Sequence, residues 1–183
     1  MKQKYMTRNL ILFLSFVIGV PACSVAQSSS AAAVKNVKDL DAAKRTAFYS
    51  LDADKKINEA DSSKLSWDVA FLQTSIRLGK GTSVLMLDKQ TFDKVTSAPA
   101  QGYIKDKPAQ PAIQKGSGNG WYDYDRSEHT ISPVPGRIFI FHTAKGKYAK
   151  VEFLNYYKNG GDGETGHYTF RYAFIKPAGK TGK

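Results

Sequence analysis

The sequence predicts an all-β domain ending in a three-stranded meander, and three segments predict it. HYTFRYAF, at 167–174, alternates cleanly: Tyr168, Phe170, Tyr172 and Phe174 share one face, and His167, Thr169, Arg171 and Ala173 the other. YAKVEFLNYY, at 148–157, sends Ala149, Val151 and Phe153 inward and Lys150 and Glu152 outward. RIFIFH, at 137–142, is apolar on both faces, as a strand covered on both sides would be. The turns between them, AKGK and NGGDGETG, supply the glycines that hairpin connections need.

The chain has 183 residues, enough for one exported domain. Lys2, Lys4 and Arg8 precede an apolar run from Leu10 to Val20 that is too short to span a bilayer, so 1–26 is expected to be an export signal. Two processing sites compete. Ser24-Val25-Ala26 suits cleavage before Gln27, whereas Val20-Pro21-Ala22-Cys23 resembles a lipobox, which would end the signal at residue 22 and lipidate Cys23. The product is therefore expected to be either an outer-membrane lipoprotein or a periplasmic or secreted protein. Cys23 is the one cysteine of the chain, so the mature part has no disulfide, thiolate nucleophile or cysteine metal site, and folding rests on a core. Loss of residues 1–26 lowers the formal charge from +11 to +8, carried by scattered lysines. That pattern fits a solvated surface and an anionic partner, and excludes nucleic acid as the expected one.

Residues 27–38, opening with QSSSAAA, are expected to be a flexible tether, 39–176 a single β domain and 177–183 a basic tail. VKDLDAAKRTA, at 37–47, allows one or two helical turns; AFYSL and DADKK then give a strand and its turn. In WDVAFLQTSIRL, at 67–78, Trp67, Val69 and Phe71 share one face, and Gly79 to Gly81 end the segment. TSVLMLD, at 82–88, is apolar on both sides, which predicts a covered strand with Met86 in the core.

Enzyme chemistry finds little footing. No serine sits in a nucleophile elbow, no HExxH spacing exists, and the three histidines are isolated from one another in sequence. GSGNG, at 116–120, lacks the strand before it and helix after it that a phosphate loop requires, and reads as a turn. DADKKINEAD fails as a calcium loop, with Lys56, Ile57 and Ser63 at its fifth, sixth and twelfth positions. Asp123, Asp125 and Glu128 read as a solvated strand edge.

Four segments carry a resemblance: SWDVAF at 66–71, GSGNGWYDY at 116–124, HTISPVPGRIFIFHTAKGKYAKVEFLNYY at 129–157, and YTFRYAF at 168–174. Together they are similar to the HmuY-like family of Bacteroidetes exported proteins, over about Asp39 to Phe174. The resemblance implies an antiparallel, sandwich-like β fold. It also implies capture of haem for a TonB-dependent outer-membrane receptor, as in the characterised members.

The family's axial ligands do not transfer. Its best-known members place one histidine on an inserted hairpin before the GW motif and a second a few residues after it. Here 102–121 is short and holds neither histidine nor methionine, and the second position falls on Arg126. Related proteins use methionine pairs, and the mature chain has Met86 alone. The candidate pocket is walled by Trp121, Tyr122, Tyr124 and Met86, with His129 or Met86 on the iron and Arg126 near a propionate. Against this stand simpler readings that are preferred residue by residue: Met86 as core packing, and His129 as a turn residue beside Thr130 and Pro133. His142 reads as an interior histidine and His167 as surface. A cofactor-free envelope interaction module with the same fold is the alternative function.

Overall fold

The computed structural model describes residues 33–161 and 163–179, together with Met1. The expected export signal, Cys23 and both processing sites lie outside these residues. What is described is all β, with no α-helix among the described residues. The strands, in chain order, are β1 (Lys35–Asp41), β2 (Ala47–Ser50), β3 (Lys55–Ile57), β4 (Val69–Leu72), β5 (Ser75–Leu78) and β6 (Ser83–Leu87). They continue as β7 (Ser97–Ala98), β8 (Tyr122–Asp125), β9 (Thr130–Pro133), β10 (Ile138–His142), β11 (Tyr148–Tyr157) and β12 (Thr165–Pro177).

The larger sheet runs β1-β12-β11-β10-β6, all antiparallel, with the short β7 added to β12 in parallel. A second antiparallel sheet runs β3-β2-β4-β5, and β8-β9 form a separate hairpin. The last three long strands pair consecutively, Phe139 with Val151 and Val151 with Tyr172.

Period-2 patterning decides what each face of β10 and β12 meets. Phe139 and Phe141 of β10 join Tyr168, Phe170 and Tyr172 of β12, with Phe71, Phe153 and Trp121, in one cluster that takes residues from both sheets. Ile138 and Ile140 point the other way and join Ala173, Phe92, Val95 and Ala98 in a second cluster. That second cluster is why RIFIFH is apolar on both sides. Phe71 packs tilted against Tyr168 at 4.5 Å between ring centroids, and Trp121 lies 5.0 Å from the same tyrosine. Rings of this size bury about 150–250 Å² each, at roughly 25 cal/mol per Å². The core therefore rests on its aromatics. The tyrosine hydroxyls find acceptors: Tyr168 donates to the Gln73 carbonyl at 2.6 Å, and Tyr172 and Tyr49 to the Asp54 carboxylate. Burial pushes the Tyr168 phenol far above its ordinary value, so it stays a neutral donor.

Several expectations need correction. The segment 37–47 does not form helical turns, and the tether does not reach residue 38, because β1 starts at Lys35. Its residues take the free edge of β12, pairing Lys35 with Tyr172, and Asp39 absorbs the bulge after Val37 with a φ of 50°. Its N–H is held by Thr169 Oγ1 at 3.1 Å. Residues 67–78 are a hairpin of two strands, turning at Gln73 with a φ of 49°.

Lys150 was expected outward and is buried: its ammonium donates to the Phe92 carbonyl at 2.6 Å and sits over the Phe92 ring. Desolvation holds its pKa below the ordinary lysine value. His167, expected on the surface, is also buried, with Nδ1 at 3.2 and 3.3 Å from the carbonyls of Glu164 and Thr165. Asp41 and Glu164 place carboxylate oxygens 3.9 Å from its Nε2. Met86 departs in the opposite sense. It is 39% exposed, because β6 is the edge strand of the larger sheet.

Candidate binding cleft

β6 pairs with β10 along one side through a continuous ladder. Its other side carries a single bridge. Val84 donates to the Ile104 carbonyl at 2.8 Å, and Ile104 returns the bond to Val84 at 2.9 Å. In continued antiparallel register Met86 would face Gly102. Gly102 instead takes a φ of 96°, and a side chain there would come within 3.1 Å of Leu85 Cδ1. The chain thus peels away from β6 at a glycine, and the pairing stops.

The gap is a cleft of about 420 Å³. Its lining mixes apolar side chains, Val84, Leu85, Met86 and Phe139 on the strand side and Ile104, Ala112 and Ile113 on the loop side, with nearly as much polar surface. Gln114 and Asn119 add two amides at its rim. The loop side is anchored by Asp106, whose carboxylate accepts the Leu78 N–H at 3.0 Å and the Ala112 N–H at 2.7 Å. A thioether beside apolar side chains and two amides offers contacts to a ligand that is partly apolar and partly polar.

The structure brings one sequence-predicted site residue, Met86, to this cleft; the others sit elsewhere. Trp121 does not wall a pocket. It is 1% exposed, its indole N–H donates to the Thr74 carbonyl at 2.9 Å, and it packs on Tyr156 and Tyr168. Tyr122 is buried beside it, and its hydroxyl accepts the Gly116 N–H at 3.1 Å. Tyr124, Arg126 and His129 are exposed on the β8-β9 hairpin, outside the lining of the cleft.

There the Tyr124 hydroxyl and His129 Nδ1 share a hydrogen bond of 2.8 Å, and His129 has a φ of 54°. The Asp125 carboxylate closes the turn by accepting from Ser127 Oγ, the Ser127 N–H and the Glu128 N–H, and these bonds lower its pKa. The sequence reading that favours a turn has the imidazole on backbone, whereas here it meets the Tyr124 hydroxyl. His142 is half-buried and stacks on Tyr148, 4.5 Å between centroids and 12° from coplanar. Among the described residues no group of three His, Cys, Asp or Glu side chains is placed to hold a metal ion.

The loop wall of the cleft was missed in the sequence, which showed only a short stretch without histidine or methionine. A signal was present: Ile104 and Ile113 are isolated apolar residues within a polar, proline-broken segment, and both line the cleft, Ile113 buried and Ile104 largely exposed.

Taken together these features define an all-β, mainly antiparallel domain with a cleft of mixed polarity at the broken edge of its larger sheet. The family of HmuY proteins matches residues 42–134 and 114–172, and the chain belongs to that family. The resemblance read from the four segments is thereby borne out. Three solved structures share the fold. The apo form of PinO, from Porphyromonas gingivitis, is 18% identical, covers 80% of this chain and 99% of its own, and gives a TM-score of 0.59. The apo HmuY analog TFO from Tannerella forsythia is 18% identical over 80% of this chain and 96% of its own, with a TM-score of 0.54. A Bacteroides vulgatus protein provisionally named an HmuY-like heme binding protein is 19% identical over 79% of this chain and 92% of its own, with a TM-score of 0.52. Among curated proteins, none matches the sequence.

Proposed function

We propose that this chain is an exported haem- or porphyrin-binding protein that takes the macrocycle into the cleft beside Met86. One observation carries the reading: a thioether 39% exposed stands in a mixed, partly apolar cleft of an HmuY-family chain whose fold is shared by a protein provisionally named an HmuY-like heme binding protein. A cleft of about 420 Å³ lies within the size range of small-molecule sites. The residues present fit the group on one face. Met86 Sδ would approach the iron, Ile104, Ile113 and Phe139 would cover the ring, and the Gln114 and Asn119 amides would donate to propionates. When bound, haem supplies the iron centre that is the cargo. The protein's part is to bind, orient and shield it.

Export through residues 1–26, with release or a lipid anchor at Cys23, would make it a periplasmic, secreted or outer-membrane protein. A TonB-dependent outer-membrane receptor is the partner to which haem would pass. Titration of the purified protein with hemin tests the reading. A saturable, shifted Soret band is expected, and a spectrum identical to free hemin in both iron states overturns it.

A second reading, an envelope interaction module without a cofactor, is favoured by the state of the hairpin. His129 Nδ1 is already engaged by Tyr124, and Arg126 stands where the family's second histidine would be. It predicts capture of a receptor domain by protein that leaves the hemin spectrum unchanged.

A further inference from the structure

We propose that Arg137 is the positioning residue that fixes the width of the Met86 cleft, a role that rests on the haem-binding function proposed above. Its guanidinium joins two segments that adjoin the cleft, each contacted at residues beside the lining ones. On the strand side Nε donates to Asp88 Oδ1 at 2.6 Å, and Asp88 directly follows β6, two residues beyond Met86. On the loop side Nη1 donates to the carbonyls of Gly118, at 2.9 Å, and Gly120, which flank the cleft-lining Asn119.

The arginine itself stands on firm ground. It is 11% exposed and precedes Ile138, which is fully buried in β10. The other hydrogen bonds of the 116–120 turn run within it or to β8: Gly118 N–H to the Tyr122 carbonyl, Gly116 N–H to the Tyr122 hydroxyl, Asn119 N–H to the Gly116 carbonyl, and Tyr124 N–H to Ser117 Oγ. None of these crosses to β6. Arg137 does, and the link needs a planar fork. A lysine ammonium, as a compact point charge, cannot serve the carboxylate and two carbonyls in the same geometry. A flat ligand gripped between two walls is sensitive to their spacing on the scale of an ångström.

The test compares wild type with R137Q, R137K and the exposed-site variant D88N. Amide hydrogen exchange is read in the hemin-free protein, and hemin affinity and Soret position are read by absorbance. R137Q is expected to speed exchange at Gly118 to Gly120 by roughly tenfold or more, the loss of charge-assisted hydrogen bonds. It is also expected to weaken hemin binding roughly 10–100-fold, as loss of an orienting partner does, with the Soret band moving toward that of Met86→Ala. R137K should recover part of both effects, and D88N should give a smaller change of the same kind while melting like wild type. Unchanged exchange in R137Q overturns the clamp, as does faster exchange with hemin affinity and Soret position intact. Faster exchange in a protein that binds no hemin even as wild type supports the clamp and sinks the haem reading instead.

Discussion

The Tyr124 hydroxyl and the His129 imidazole hold each other across the β8-β9 hairpin, 2.8 Å from oxygen to Nδ1. On the proposed reading, a histidine committed to its own hairpin and outside the lining of the cleft does not meet the iron. His129→Ala is therefore expected to leave hemin affinity and the Soret band unchanged, and to alter stability by no more than about 0.5 kcal/mol, as for an exposed site. Absorbance titration and urea unfolding read both quantities. A lost or shifted Soret band would return His129 to the site.

Trp121 serves the core. Its ring contacts Tyr122, Phe153, Tyr156 and Tyr168 at centroid distances of 5.0–5.7 Å, and its N–H is spent on Thr74. Trp121→Ala should cost about 3–5 kcal/mol, the range for emptying a large aromatic site. Urea denaturation measures it. A loss below 1 kcal/mol would mean that the indole does not carry the core.

The Asp54 carboxylate predicts an acid dependence. Partial burial raises its pKa, but hydrogen bonds from Tyr172, Tyr49 and Lys35 outweigh that and hold it below its ordinary 3.8. A group whose pKa is depressed on folding stabilises fully above its unfolded value, and that contribution is lost as pH falls through the folded value. Stability should thus decline below pH 3.8 with a component from Asp54. Tyr172→Phe should shrink that component by removing one donor, at a site exposed enough for salt to screen the rest. Urea unfolding across the acid range compares the two slopes; identical slopes would contradict the assignment.

The fold was legible where one side chain in two had to be buried. Tyr168, Phe170 and Tyr172 announced β12, and Ile138 to Phe141 announced a strand covered on both faces, because alternation is a local property of the chain. β1 was not, since Lys35 to Asp41 becomes a strand only when the edge of β12 is offered to it. The burial of Lys150 and His167 was hidden for a related reason. Each depends on segments distant or looped back, Phe92 in one case and the Glu164 and Asp41 carboxylates in the other.

The site was less legible still. The thioether of Met86 makes it a candidate in the sequence, but its apolar neighbours point to a covered strand. What exposes it is a glycine sixteen residues later, Gly102, at which the pairing ends. Two of the aromatics that suggest a pocket wall, Trp121 and Tyr122, belong to the core, whereas Tyr124 is exposed on its hairpin.

Hemin titration of wild type against Met86→Ala tests the central claim most directly. The substitution is expected to leave the fold intact, since the side chain is 39% exposed. The account predicts a shifted Soret band in wild type, with affinity falling at least about tenfold and the band moving in Met86→Ala, as loss of an iron contact requires. Equal affinity and an identical spectrum in the two proteins would contradict it.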